Sequence, residues 1–188
     1  MKSVANALLY NGIWFVAVSR AAEGDMWSGP LTMACFVVVH LLWTPRPERQ
    51  RELVFLLAAG SVGSAVDSLL HGAGFIAYPT SHAVWTAGIV PPWITCLWVG
   101  FATMPRFSLA WLTRLPWPVA AGFGAVGGGL AFFAGTRLGA IEAGMGPWTY
   151  GALAVEYAVL TPLLVFGHRG LRSAQRPKAR PPEAEASA

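Results

Sequence analysis

Leu53-Val-Phe-Leu-Leu-Ala-Ala-Gly60-Ser-Val-Gly63-Ser64-Ala-Val-Asp67-Ser68-Leu-Leu-His71 is the stretch that decides the fold. It is apolar over the roughly 20 residues that a helix needs to cross a hydrocarbon layer of about 30 Å. It nevertheless carries a carboxylate and an imidazole one turn apart. An acid at that depth costs about 2.5 to 3.5 kcal/mol on insertion scales, so such an acid turns toward a polar bundle interior and a partner. Gly60, Ser64, Asp67 and His71 recur at steps of four, three and four, which puts them on one helical face. A small, polar face of this kind admits a neighbouring helix at close range.

The rest of the chain matches that reading. Of its 188 residues 55% are hydrophobic and only 12% charged, and its mean hydropathy is +0.51. Such a balance excludes an ordinary soluble domain. Six apolar runs follow one another, at about 4–21, 30–43, 53–72, 84–104, 119–135 and 148–166. The expected fold class is therefore all-α: a polytopic membrane helix bundle of about six transmembrane helices, forming one domain over 1–167. Residues 168–188, rich in Pro, Arg, Ala and Glu, cannot bury a core and read as a disordered cytoplasmic tail. The first run has a Lys ahead of it and Ala17-Val-Ser19 within it, but Asn6, Asn11 and Trp14 make a poor signal-peptide core, so it is kept as a helix.

The positions of the basic residues set the orientation. Lys2, Arg46, Arg49, Arg51, Arg106, Arg114 and the tail residues Arg169, Arg172, Arg176, Lys178 and Arg180 fall on one side of these runs, leaving Arg20 and Arg137 on the other. That bias predicts cytoplasmic termini, and it accounts for the net charge of +4 without nucleic acid as a partner. Each returning helix opens with Pro beside Trp: Trp27-Ser-Gly-Pro30, Pro91-Pro-Trp93 and Pro147-Trp148. Proline suits a first turn and Trp suits a headgroup boundary, so three hairpins sharing one boundary chemistry are expected. Between the fourth and fifth runs, Arg106-Phe-Ser-Leu-Ala-Trp-Leu-Thr-Arg114-Leu-Pro-Trp117 mixes basic and bulky apolar residues and is expected to lie along the cytoplasmic surface.

Few groups are left to carry chemistry. At helical rise Asp67 lies about 22 Å past Glu52, and Glu156 about 12 Å past Trp148, so the two acids reach nearly the same level in the external half of the layer. The glycine lines Ala120, Gly124, Gly128 and Ala121, Ala125, Gly129 on the fifth helix predict intimate contact among helices three, five and six. Asp67, Glu156 and His71 are then the candidate catalytic groups, with Asn11, Arg137, Glu142 and Ser64 as candidate substrate-binding residues around an externally open cavity. Two acids held together can keep one proton near neutrality, which suits general acid/base work on a membrane lipid or proton carriage by a small transporter. A purely structural role in packing or assembly is the competing reading. Arg137 and Glu142 read equally as a pair within their loop, His71 and His82 as rim residues, and His40 is expected to snorkel.

Other chemistries lack their motifs. Cys35 and Cys96 are spaced for neither zinc nor a disulfide framework and read as small core residues, and no metal site is expected. There is no Gly-x-x-x-x-Gly-Lys and no Gly-x-Ser-x-Gly, and Ser68 points away from its neighbour Asp67 on a helix. No cofactor is indicated.

Asn6 and Trp14, Asp67-Ser68-x-Leu70, Pro92-Trp93, Leu97-Trp98-x-x-Phe101-Ala102, Ser108-Leu-x-Trp-Leu112, Gly124-Ala125-x-Gly127-Gly128 and Leu138-Gly-Ala140 together resemble an uncharacterised bacterial inner-membrane family, domain of unknown function family 2878. The resemblance reaches to about Phe166. It implies a location in the bacterial inner membrane and, loosely, genes near enzymes that modify unsaturated acyl chains under oxidative stress. It implies no established activity.

Overall fold

Proline sets where several of the helices begin. Pro92 is the first residue of α4 (Pro92–Phe101), Pro116 precedes α5 (Trp117–Leu138), and Pro147 opens α6 (Pro147–Ser173). A fixed φ and a missing amide cost nothing in a first turn, where that amide has no partner anyway. The other helices are α1 (Lys2–Ala22), α2 (Ser28–Trp43) and α3 (Arg49–Gly72). At the head of α2, Asp25 Oδ1 accepts the amides of Trp27 and Ser28 at 2.9 and 3.1 Å, and Oδ2 accepts the Ser28 hydroxyl at 2.5 Å. The Ser28 hydroxyl first, and then those amides, lower the Asp25 carboxyl from its ordinary 3.8 to about 2.

The computed structural model describes residues 1–79 and 88–173. Among these the chain is a bundle of six α-helices, with 3-10 turns at its connections and one two-stranded ladder. Three helical stretches, Arg46–Gly72, Trp117–Leu138 and Pro147–Ser173, are long and apolar enough to cross a membrane. The other three predicted spans are not matched. α1 has the length, but Lys2, Asn6, Asn11, Ser19 and Arg20 dilute its apolar residues. α2 is apolar but has 16 residues. The fourth run is helical for only 10 residues: Pro91 is extended, with ψ 154°, and the chain leaves the helix after Phe101 for a 3-10 turn around Pro105.

α6 runs on to Ser173, past the expected boundary at 167, and His168 is buried. The rest of the tail, and His82, lie outside the described residues. The basic segment after α4 is only partly on the surface, with Trp111, Arg114 and Trp117 exposed. It winds through 3-10 turns at Met104–Arg106 and Ala110–Arg114, and Leu109 and Leu112 bury themselves with Met104 and Val165 of α6.

Helix contacts also differ from expectation. α5 packs along α6, while α3 packs chiefly on α4 and only lightly on α6. The α5–α6 seam is made by missing side chains: a Cβ on Gly124 would sit 2.6 Å from Thr161 Cβ, and one on Gly128 would sit 2.6 Å from Tyr157 Cβ. α3 turns its small face to α4 instead, with Gly60 against Val99 and Gly63 against the Trp98 indole.

Opposite ends of the bundle are closed differently. At one end β1 (Ile76–Ala77) pairs antiparallel with β2 (Glu142–Ala143), joining the loop after α3 to the loop before α6. Thr149 of α6 adds a hydrogen bond to the Phe75 carbonyl at 2.8 Å. At the other end Lys2 Nζ donates to the Trp43 carbonyl at 3.3 Å, and the start of α3 meets the end of α6. Both ends of the described chain therefore lie at this second, basic end.

Candidate functional site

The acid pair is assembled by α3, α4 and α6. Asp67 is fully buried, and its Oδ2 accepts a hydrogen bond from Trp98 Nε1 at 2.6 Å. Gly63, one turn earlier, has no Cβ to keep the indole away, so the Trp98 ring lies flat on α3 with its N–H at the carboxylate. From α6, Glu156 comes within side-chain hydrogen-bonding reach of Asp67. The two acids of the sequence reading thus face each other.

Asp67 Oδ1 and both Glu156 oxygens are buried and meet no donor group among the described residues. Two bare carboxylates cannot satisfy one another, whereas a pair holding one proton can, through a single O–H donated across the gap. Burying them otherwise unpaired would be costly, and one shared proton would relieve that cost.

Aromatic rings frame the pair. Tyr157 of α6 stacks on Trp98, centroids 4.9 Å apart and planes 23° apart, and Phe101 and Phe132 close around Tyr157 at 6.1 Å each. From the loop beyond β1, Tyr78 is buried between Trp93 and His71. Burial first, then the charges of Asp67 and Glu156, push its hydroxyl well above the ordinary value, so Tyr78 stays a neutral O–H beside the acids.

This framework borders a groove of about 450 Å³ between α1, α4, α5 and α6. Tyr10, Asn11, Trp14 and Val18 of α1 form one wall, and Phe123, Gly127, Leu130 and Ala131 of α5 the other. Trp98, Phe101 and Tyr157 lie between them, and Asp67 is the one carboxylate in the lining among the described residues. The volume is in the range of small-molecule pockets, and the lining has their usual makeup of apolar surface with few polar groups.

The remaining predicted site residues are dispersed. Asn11 lines the groove, but its Nδ2 donates to the Ala7 carbonyl at 2.8 Å. Ser64 turns to α4 and donates to Thr95 Oγ1 at 2.8 Å, not to the acid. His71 donates through Nδ1 to the Ile76 carbonyl at 2.7 Å, which holds it to the ladder. Arg137 and Glu142 are exposed, outside the groove lining, and no ion pair joins them among the described residues. Of the five ionisable residues expected to converge, Asp67 and Glu156 come together, and of these two Asp67 lines the groove.

A second polar centre, absent from the sequence reading, occupies the basic end. Glu52 is buried on the first turn of α3. Its Oε1 meets His40 Nε2 of α2 at 2.8 Å. Its Oε2 meets Arg106 Nη2 at 2.8 Å and His168 Nε2 of α6 at 3.1 Å. Arg106 also reaches Glu48 at 2.7 Å. Burial works against the Arg106 charge, but the hydrogen bonds and charges of Glu52 and Glu48 outweigh it and raise its pKa. His40 is fully buried, so it does not snorkel. Alongside, Asn6 donates to Thr103 Oγ1 at 3.0 Å and accepts the Ser108 hydroxyl at 2.7 Å, fastening α1 to the segment after α4. No group of three or more His, Cys, Asp or Glu suited to a metal occurs among the described residues.

A family model described as a protein of unknown function, DUF2878, matches residues 3–163. The chain belongs to this family. No curated protein and no solved structure matches it. Both groove walls and both members of the acid pair fall inside the DUF2878 span, whereas His168 of the second centre lies just beyond it.

Proposed function

We propose that this DUF2878 protein binds the hydrocarbon chain of a membrane lipid in its aromatic groove and uses the Asp67–Glu156 pair as a proton donor and acceptor toward it. One observation carries the reading: a half-open, aromatic-lined groove of about 450 Å³ with a single carboxylate, Asp67, in its wall. An acyl or polyisoprenoid chain fits such a lining by apolar burial alone. The acid marks the point along it where a proton can be given or taken. Trp98 would fix the carboxyl's orientation, Glu156 would hold the second end of the shared proton, and Tyr78 would supply a neutral hydroxyl. The protein would then be an enzyme or accessory factor of lipid modification. The excess of Lys and Arg at one end supports an orientation with both termini in the cytoplasm, and the membrane would be a bacterial inner membrane.

The test is lipidomics of cells lacking the gene and complemented with wild type, Asp67→Asn or Glu156→Gln. Asn at 67 can still accept from Trp98 and can donate to Glu156, so the variant should insert and accumulate normally while the lipid change of the deletion persists. A wild-type lipid profile in that variant refutes the acid/base role. The shared proton also supports a proton-coupled carrier. In proteoliposomes, pH-driven flux lost in Asp67→Asn, without any lipid product, would replace the first reading with this one.

A further inference from the structure

At the basic end two hollows adjoin, sharing Thr113 and Arg169. The first, of about 250 Å³, carries cations: His168, Arg169 and Arg172 line it with Ser173, Pro105 and Ala110, and among the described residues no carboxylate does. The second, of about 600 Å³, is mainly apolar, formed by Leu115, Trp117, Pro162, Leu163 and Phe166, with Arg114 also in its lining, where the start of α5 meets the end of α6. Trp117 and Leu163 are well exposed on its rim.

The cationic wall is held in place. Arg169 Nη1 donates to the Thr113 carbonyl at 2.8 Å, which fixes the guanidinium on the partition between the hollows. His168 is buried and tied to Glu52 from behind. Held side chains lose less entropy when they take a ligand. Cations in one compartment and a continuous apolar trough in the next reproduce the order of groups in an anionic phospholipid, phosphate first and acyl chain after.

We propose that this slot binds one anionic phospholipid, its phosphate between Arg169, Arg172 and His168 and an acyl chain along Trp117, Leu163 and Phe166. The site is separate from the aromatic groove and does not depend on the chemistry proposed there. Free phosphate offers the same anion without the chain, so the two sources are tested apart.

The full-length protein, purified in an uncharged detergent, would be titrated with phosphatidylglycerol or phosphatidylcholine and lipid adducts counted by native mass spectrometry, with and without millimolar inorganic phosphate. Phosphatidylglycerol should be retained several-fold better than phosphatidylcholine. Each basic side chain is worth about fivefold, so Arg172→Gln should reduce that retention by about fivefold and Arg169→Gln at least as much. Leu163→Gln should weaken both lipids. Arg172 is exposed at the end of α6, so its variant tests the site without threatening the fold. Equal retention of the two lipids, no loss in Arg172→Gln, or complete displacement by inorganic phosphate would each overturn the proposal.

Discussion

Gly128 and Gly129 are neighbours on α5, and the structure assigns them different fates on substitution by alanine. A Cβ at Gly128 would overlap the Tyr157 ring and lie 2.6 Å from Tyr157 Cβ, while one at Gly129 would meet nothing within 4 Å. Carbon atoms settle at about 3.5 to 4.0 Å, so Gly128→Ala must push α6 away or swing Tyr157 by about 1 Å. Overpacking of that kind costs about 1 to 3 kcal/mol. In a soluble helix alanine would return about 0.5 to 1 kcal/mol of backbone entropy. A membrane-embedded helix keeps its backbone hydrogen bonds even when the bundle separates, so that return falls at the low end here. Gly129→Ala should therefore stay within about 0.5 kcal/mol of wild type, and Gly128→Ala should lose about 1 to 3 kcal/mol. At about 2 to 4 °C per kcal/mol for a chain of this size, the two should differ by several degrees in thermal unfolding in detergent, followed by tryptophan fluorescence. Because Tyr157 stacks on Trp98, the emission of folded Gly128→Ala should shift as well. Equal melting temperatures for the two variants would refute the α5–α6 seam and the position of Tyr157 in the site.

Glu52→Gln leaves the buried Arg106 facing only Glu48 at close range, and should cost about 3 to 5 kcal/mol, read as loss of folded protein on size-exclusion chromatography. Trp98→Phe removes the donor to a buried acid and should cost about 1.5 to 3 kcal/mol, with a larger fall in any lipid activity than in melting temperature. Asp25 has a folded pKa lowered from 3.8 to about 2, so its cap on α2 is fully present above the unfolded value and is lost as pH falls through about 2. The protection of the Ser28 amide, taken relative to its intrinsic exchange rate at each pH, should fall across that window in wild type and show no such step in Asp25→Ala.

What could be read in the chain follows the range of each signal. The helical class and the proline starts rest on composition and local chemistry, and they hold; the rise per residue also foretold that Asp67 and Glu156 would fall beside each other in the bundle. Which helix the small face of α3 meets is a tertiary choice. Gly60 and Gly63 declare a close neighbour, and the indole of Trp98 that fills the place is visible only after packing. The Glu52 centre was hidden for the same reason: His40, Glu52, Arg106 and His168 sit on four separate elements, and at the basic end each passes for an ordinary boundary charge. A signal did exist, since His40 stands inside an apolar run and Glu52 at the head of another, where a charge without a partner is expensive. The shortness of α4 was foreshadowed by Pro91-Pro92, which ends the reach of any helix arriving from before it.

The two polar centres share their helices, and this determines where the bundle can open. α3 contributes Glu52 to one and Asp67 to the other, and α6 contributes His168 and Glu156 in the same order. The pair is thus tied at both ends, with the ladder and Thr149 reinforcing one end and Arg106 the other. α1, by contrast, is bonded through Asn6 to the segment after α4 at the basic end and touches α5 only lightly. Separating α1 from α5 breaks few of these ties, whereas moving α3 against α6 strains both centres. A ligand entering the groove would therefore pass between α1 and α5, along the weakly tied side, to reach an acid whose supporting helices stay fixed.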